Sequence, residues 1–177
     1  MTNNKRVALI IAFKDFRDEE YFIPKNLFKS NGIKTITISN EKGTALGVYG
    51  GEAKVDLLLS GLILQDYDAV VFIGGAGALK YLDNQESYRI AEEVVANNKV
   101  LAAICISSVI LAKAGVLKGK KATVWSSSLD KTAVKTLEEN GAIYFNLPVV
   151  TDGRIVTATG PAAADKFAEQ VIKLLRD

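Results

Sequence analysis

The sequence predicts an α/β fold: a single-domain three-layer sandwich with a mostly parallel sheet between helices on both faces. Three observations carry that prediction. Short apolar runs alternate with helical stretches along all 177 residues. Several runs are apolar without interruption, as at Arg6–Phe13 (RVALIIAF), Ala69–Ile73 and Val100–Ile104. A strand wetted on one face would alternate, so these read as strands covered on both faces. Finally, the residues with chemical potential fall where such strands end, which is where a parallel sheet opens its crevice.

Taken in order, Arg6–Phe13 is the first strand. Asp18–Asn31 follows as a helix with acids in its first turn and Gly32 as its C-cap, and Pro24 should kink it. Ile33–Ser39 alternates and is rich in β-branched residues, so it is the second strand. Residues 43–56 carry four glycines and read as a small hairpin. Ala69–Ile73 is a buried strand running into Gly74-Gly75-Ala76-Gly77. Asn84–Asn98 is a helix. Val100–Ile104 is a strand, and Ser107–Gly115 is a helix that opens on serines and closes on glycine. Ala122–Trp125 reads as a short strand, and Leu129–Asn140 as a helix closed by Gly141. Pro148–Thr157 is a hairpin turning at Asp152-Gly153. Pro161–Arg176 is the last helix, with Pro161 suited to its first turn.

Composition narrows the function classes. Hydrophobic residues at 49% and charged residues at 24% describe an ordinary globular chain long enough to bury a core. A net charge of +2 offers no footprint for nucleic acid or a membrane surface. Lys118, Lys120 and Lys121 form the one tight basic cluster and read as a solvated turn. No apolar stretch approaches the ~20 residues that span a bilayer. Met1–Arg6 runs directly into a strand and does not read as a signal peptide, so the expected compartment is the cytoplasm. With one cysteine and no histidine, an internal disulfide is impossible and the usual zinc ligands are missing. No metal or cofactor is expected.

That one cysteine, Cys105, falls in the turn between a predicted strand and a predicted helix. Free N–H groups and the helix dipole favour an anion there, which predicts a thiol well below its free pKa of about 8.5. The competing reading is a buried structural cysteine packed as a small hydrophobe. The glycine run after Ala69–Ile73 lacks both phosphate-loop patterns and reads as a tight turn that brings backbone close to a ligand.

Three elements stand in order: the acids of Asp18-Glu19-Glu20-Tyr21-Phe22-Ile23-Pro24, the Gly74-Gly75 turn, and Ala102-Ala-Ile-Cys-Ile-Ser-Ser108. With Asn146–Gly153 and Ile155–Pro161 they resemble the ThiJ/PfpI superfamily, over essentially the whole chain. The resemblance implies a flavodoxin-like fold with Cys105 at a nucleophile elbow. It also implies a glutamate four residues before a proline, here Glu20, lying protonated against the sulfur; Glu19 is the competitor. Two acidic groups in contact cannot both ionise cheaply and titrate as a unit. By the same resemblance Gly74 and Gly75 belong to the binding site, and the amides of Gly75 and Ile106 would form an oxyanion hole. Trp125 is a candidate for the pocket wall.

Two departures from that family matter. Where peptidase-like members have a histidine directly after the cysteine, this chain has Ile106. Where the deglycase branch has one on the strand after the elbow helix, the matching residue is Trp125. Amide hydrolysis needs a group to protonate the leaving amine, so cysteine peptidase activity is not expected. The resemblance implies instead an enzyme of the glyoxalase III or deglycase kind, acting on small aldehydes or glycated groups. The alternative is a cysteine-based oxidative-stress sensor or chaperone without turnover. A homo-oligomer, a dimer or larger, is expected by analogy.

Overall fold

The computed structural model describes residues 4–177. The N-terminal stretch read as lacking a targeting signal begins with residues 1–3, which lie outside the described residues. The first half of the chain forms β1 (Arg6–Ile11), β2 (Lys14–Phe16), α1 (Asp18–Ser30), β3 (Lys34–Ser39), β4 (Thr44–Gly47), β5 (Glu52–Lys54) and β6 (Leu57–Leu58). Next come β7 (Ala69–Phe72), α2 (Ala78–Tyr81), α3 (Gln85–Ala96), β8 (Val100–Ile104) and α4 (Ser108–Lys113). The remainder is β9 (Lys121–Ala122), α5 (Thr132–Glu139), β10 (Ile143–Tyr144), β11 (Val149–Asp152), β12 (Ile155–Ala158) and α6 (Ala164–Arg176).

The main sheet has the order β11-β12-β8-β7-β1-β3-β6. All its strands are parallel except β11, which closes a hairpin antiparallel to β12. The uninterrupted apolar runs have the expected cause. On one face Ala8, Ile10, Val70, Phe72, Leu101 and Ala103 pack under α3, α4 and α5 through Ile90, Ile110 and Leu137. On the other, Val7, Leu9, Ile11, Val71, Ala102 and Ile104 pack under α1 and α6 through Tyr21, Phe28, Phe167 and Val171. Each strand therefore buries both sets of alternating side chains, and the molecule is a three-layer, flavodoxin-like α/β sandwich.

α1 runs as one continuous helix with Pro24 inside it. Three local expectations are modified. The short strand expected at Ala122–Trp125 ends its ladder at Ala122, because the next donors are taken elsewhere. Thr123 N–H donates to the Thr157 hydroxyl at 2.9 Å, and Trp125 N–H donates to the Cys105 carbonyl at 3.3 Å. The helix expected from Leu129 starts at Thr132, since the Ser127 hydroxyl holds the Leu129 and Asp130 amides in a turn. The serines after Cys105 do not cap α4. A 3-10 turn, Cys105–Ser107, comes first, and the Ser107 hydroxyl donates to the Ile73 carbonyl at 2.6 Å, tying the elbow to β7.

Candidate functional site

Cys105 follows directly on β8 with φ +62°, a left-handed conformation that costs a non-glycine residue about 1–3 kcal/mol and concentrates at functional sites. The residue is partly exposed. The N–H groups of Ile106 and Gly75 act on its sulfur and pull its pKa down.

Glu20 reaches the same point from the first turn of α1. Its side chain is fully buried. Oε2 accepts a hydrogen bond from Gly74 N–H at 2.9 Å. Oε1 has no hydrogen-bond partner among the described residues, and the Cys105 thiol is near enough to perturb the carboxyl's titration. Glu19, the competitor, instead turns outward and pairs with Arg17 Nε at 3.0 Å.

The glycine turn makes this approach possible. A methyl group on Gly74 would stand 2.6 Å from both Cys105 Cβ and Glu20 Oε2, and 2.8 Å from the Ile104 carbonyl. Gly75 has φ +111°, and a methyl there would meet Arg17 N and the Asp15 carbonyl at 2.5 Å. Backbone contact is thus required on both sides of the turn. Gly74 also accepts from Arg17 N–H at 3.0 Å, which locks the start of α1 onto the loop after β7. Because the Gly74 amide holds Glu20, the donors left facing the sulfur are those of Gly75 and Ile106.

The electrostatics depart from the expected low thiol pKa. Burial pushes the Glu20 carboxyl up to about 7, against the pull of the Cys105 thiol, the Gly74 amide and Arg17. Burial, and then the Glu20 charge, push the Cys105 thiol up to about 12, while the Ile106 and Gly75 amides pull it down. The physical reason is placement. α4 has six residues and starts three positions past the sulfur, so its dipole contributes little, and an acid rather than a base stands beside the thiol. Burial raises the thiol whatever the charge on Glu20, and ionised Glu20 raises it further. Protonating Glu20 removes the like charge and turns the carboxyl into a donor toward sulfur.

Cys105 and Glu20 stand at the end of a cleft of about 500 Å³, walled by Leu79, Ile106, Trp125 and Pro161. Trp125 thus lines the cleft and also binds the elbow carbonyl. Arg17, at the mouth, was not singled out by sequence reasoning. It is the extended residue immediately before α1, three positions ahead of Glu20. Among the described residues no group of three His, Cys, Asp or Glu side chains converges as a metal site, and no helix is long and apolar enough to cross a membrane.

Comparison with known proteins gives a consistent picture. The model of the DJ-1/PfpI family matches residues 5–174. An uncharacterized protein of Methanocaldococcus jannaschii, MJ0967, is 42% identical over 97% of this chain and 83% of its own. Deglycase PH1704 of Pyrococcus horikoshii is 30% identical over 96% of this chain and 99% of its own. The crystal structure of a ThiJ/PfpI domain protein from Brachyspira murdochii superposes with a TM-score of 0.92 at 33% identity, covering 98% of both chains.

Proposed function

Because the chain belongs to the DJ-1/PfpI family, we propose that it is a histidine-free thiol enzyme of the deglycase or glyoxalase III type. It converts small 2-oxoaldehydes, or their adducts, to hydroxy acids. The observation that carries this reading is the buried Glu20 carboxyl held between the Gly74 amide and the Cys105 sulfur. Relatives named as deglycases along nearly their whole lengths support the same direction.

The reactive form is the tautomer of the singly protonated pair in which thiolate stands beside carboxylic acid, reached when the thiol proton passes to the Glu20 carboxylate. The sulfur adds to the aldehyde carbon, the carbonyl π electrons move to oxygen, and Glu20 gives that oxygen its proton. Gly75 and Ile106 amides stabilise the charge as it develops. The Glu20 carboxylate then removes the hydrogen from the carbon now bonded to sulfur, and the electron pair forms the carbon–carbon double bond of an enediol. Glu20 returns the proton to the neighbouring carbon while the proton on the first oxygen passes to the second, leaving a thioester carbonyl and a new hydroxyl. The first carbon is oxidised and the second reduced, so no external oxidant is needed. Water cleaves the resulting thioester and frees the thiol. None of these steps requires an imidazole.

The test is lactate formation from methylglyoxal by freshly reduced protein. Cys105→Ser and Glu20→Gln are each expected to lose at least about 10²-fold in kcat/KM. Full activity in either variant removes that residue from the mechanism.

A second reading is favoured by the same donors. Two amides and a protonated carboxyl around one sulfur would also hold the oxygens of a sulfinate formed by peroxide, and no second cysteine exists to resolve a sulfenic acid. A gain of about 32 Da on Cys105 after mild peroxide is the expected sign, and an unmodified sulfur rejects a sensor role.

A further inference from the structure

We infer that Arg17 makes the Cys105 cleft selective for electrophiles that carry a carboxylate. On the reading above, the preferred substrate is then a 2-oxoaldehyde with a carboxylate at its far end rather than a neutral one. Among the described residues Arg17 is the one cation lining the cleft, whose walls are otherwise largely apolar. Its backbone is fixed to the glycine turn through Gly74, and its charge is felt at Glu20.

The side chain is held in place without being consumed. The guanidinium carbon lies 4.8 Å from the centre of the Tyr49 ring, a stacking arrangement that orients the planar group. Its Nε donates to Glu19. A guanidinium has five N–H donors in a fixed fork, so four remain, and that fork matches a carboxylate.

Both Arg17 and Glu19 are about one-third exposed, at 31% and 39%. An ion pair this open to water is weak, so a ligand carboxylate competes with Glu19 for the fork. Glu20, the other acid in the cleft, is neutral in the reactive form and does not repel an incoming anion. A fixed cation beside low-dielectric walls raises the local concentration of anionic ligands and favours them at the sulfur.

Iodoacetate and iodoacetamide differ by one charge and little in size, so their rate ratio at Cys105 reads the cleft's charge preference directly. At low ionic strength Arg17→Gln is expected to lower the iodoacetate-to-iodoacetamide ratio by roughly five- to tenfold. Glu19→Gln is expected to raise it, and high salt to close most of the gap. A ratio indifferent to Arg17, or reactivity of Cys105 with neither reagent, overturns the inference. The companion assay compares kcat/KM for 4,5-dioxopentanoate and methylglyoxal, with the anionic aldehyde preferred by wild type and the preference lost in Arg17→Gln. If neither aldehyde turns over while the alkylation ratio still follows Arg17, the enzymatic reading fails and anion selection stands. If both turn over and the ratio ignores Arg17, anion selection alone fails.

Discussion

A carboxyl with no exposed surface and a single amide partner ionises reluctantly, and Glu20 is such a group. Its carboxyl sits at about 7 instead of the usual 4.5 because burial outweighs its hydrogen bonds. The folded protein therefore holds this proton more tightly than the unfolded chain. That contribution to stability is complete below about pH 4.5 and is lost as pH rises through about 7. The shift corresponds to about 3 kcal/mol. Glu20→Gln keeps a neutral side chain of the same shape and removes this dependence. Urea unfolding at about pH 5 and about pH 8 should show the variant gaining on wild type by a few kcal/mol across the interval. A difference between the two proteins that is the same at both pH values would contradict the buried-acid assignment. Residue identity at this position was legible through the spacing to Pro24, but the thiol's electrostatics were not. The expected dipole-lowered thiol assumed a helix starting at Ser107. The structure interposes a 3-10 turn and an acid.

Among the elements, the turn after β7 does most to assemble the site. It holds Glu20 by one amide, faces the sulfur with another, and binds the start of α1 through a carbonyl. Gly74→Ala places a methyl where Cys105 Cβ and Glu20 Oε2 already lie. We expect a folded protein whose Cys105 alkylation by iodoacetamide and aldehyde turnover both fall by roughly 10²-fold, since small misplacements of reacting groups carry penalties of that size. Wild-type rates in a variant with an unchanged circular dichroism spectrum would show that the turn does not set the geometry. The strands β1, β7 and β8 were readable because unbroken apolar runs have one physical explanation, burial on both faces. Residues 122–131 were less readable. There single side-chain and backbone partners, Thr157, Cys105 and Ser127, decide where strand ends and helix begins, and no periodicity reports such long-range bonds.

At the scale of the molecule, the two helical layers have separate work. α3, α4 and α5 back the elbow, whereas α6 packs on α1 and so supports the helix that carries Glu20. Phe167 lies fully buried in this second layer. Phe167→Ala should cost about 3–5 kcal/mol and lower Tm by roughly 10 °C. A loss below about 1 kcal/mol would mean that α6 repacks without its aromatic anchor. The layered architecture was fully legible, since alternation of apolar runs and amphipathic stretches admits few arrangements. Arg17 was not recognised as part of the site, because a charged residue before a helix ordinarily reads as solvated. Only the fold shows that this helix begins at the crevice, with Tyr49 brought across from the β4–β5 hairpin to hold the guanidinium.

The most direct test of the Cys105–Glu20 pair is a pH titration of the ultraviolet thiolate absorbance, with Cys105→Ser as the blank. A thiolate midpoint that falls in Glu20→Gln, where the neighbouring charge is gone, is the predicted result. A midpoint that is the same in wild type and Glu20→Gln would mean that the two groups do not titrate as a pair and would contradict the account.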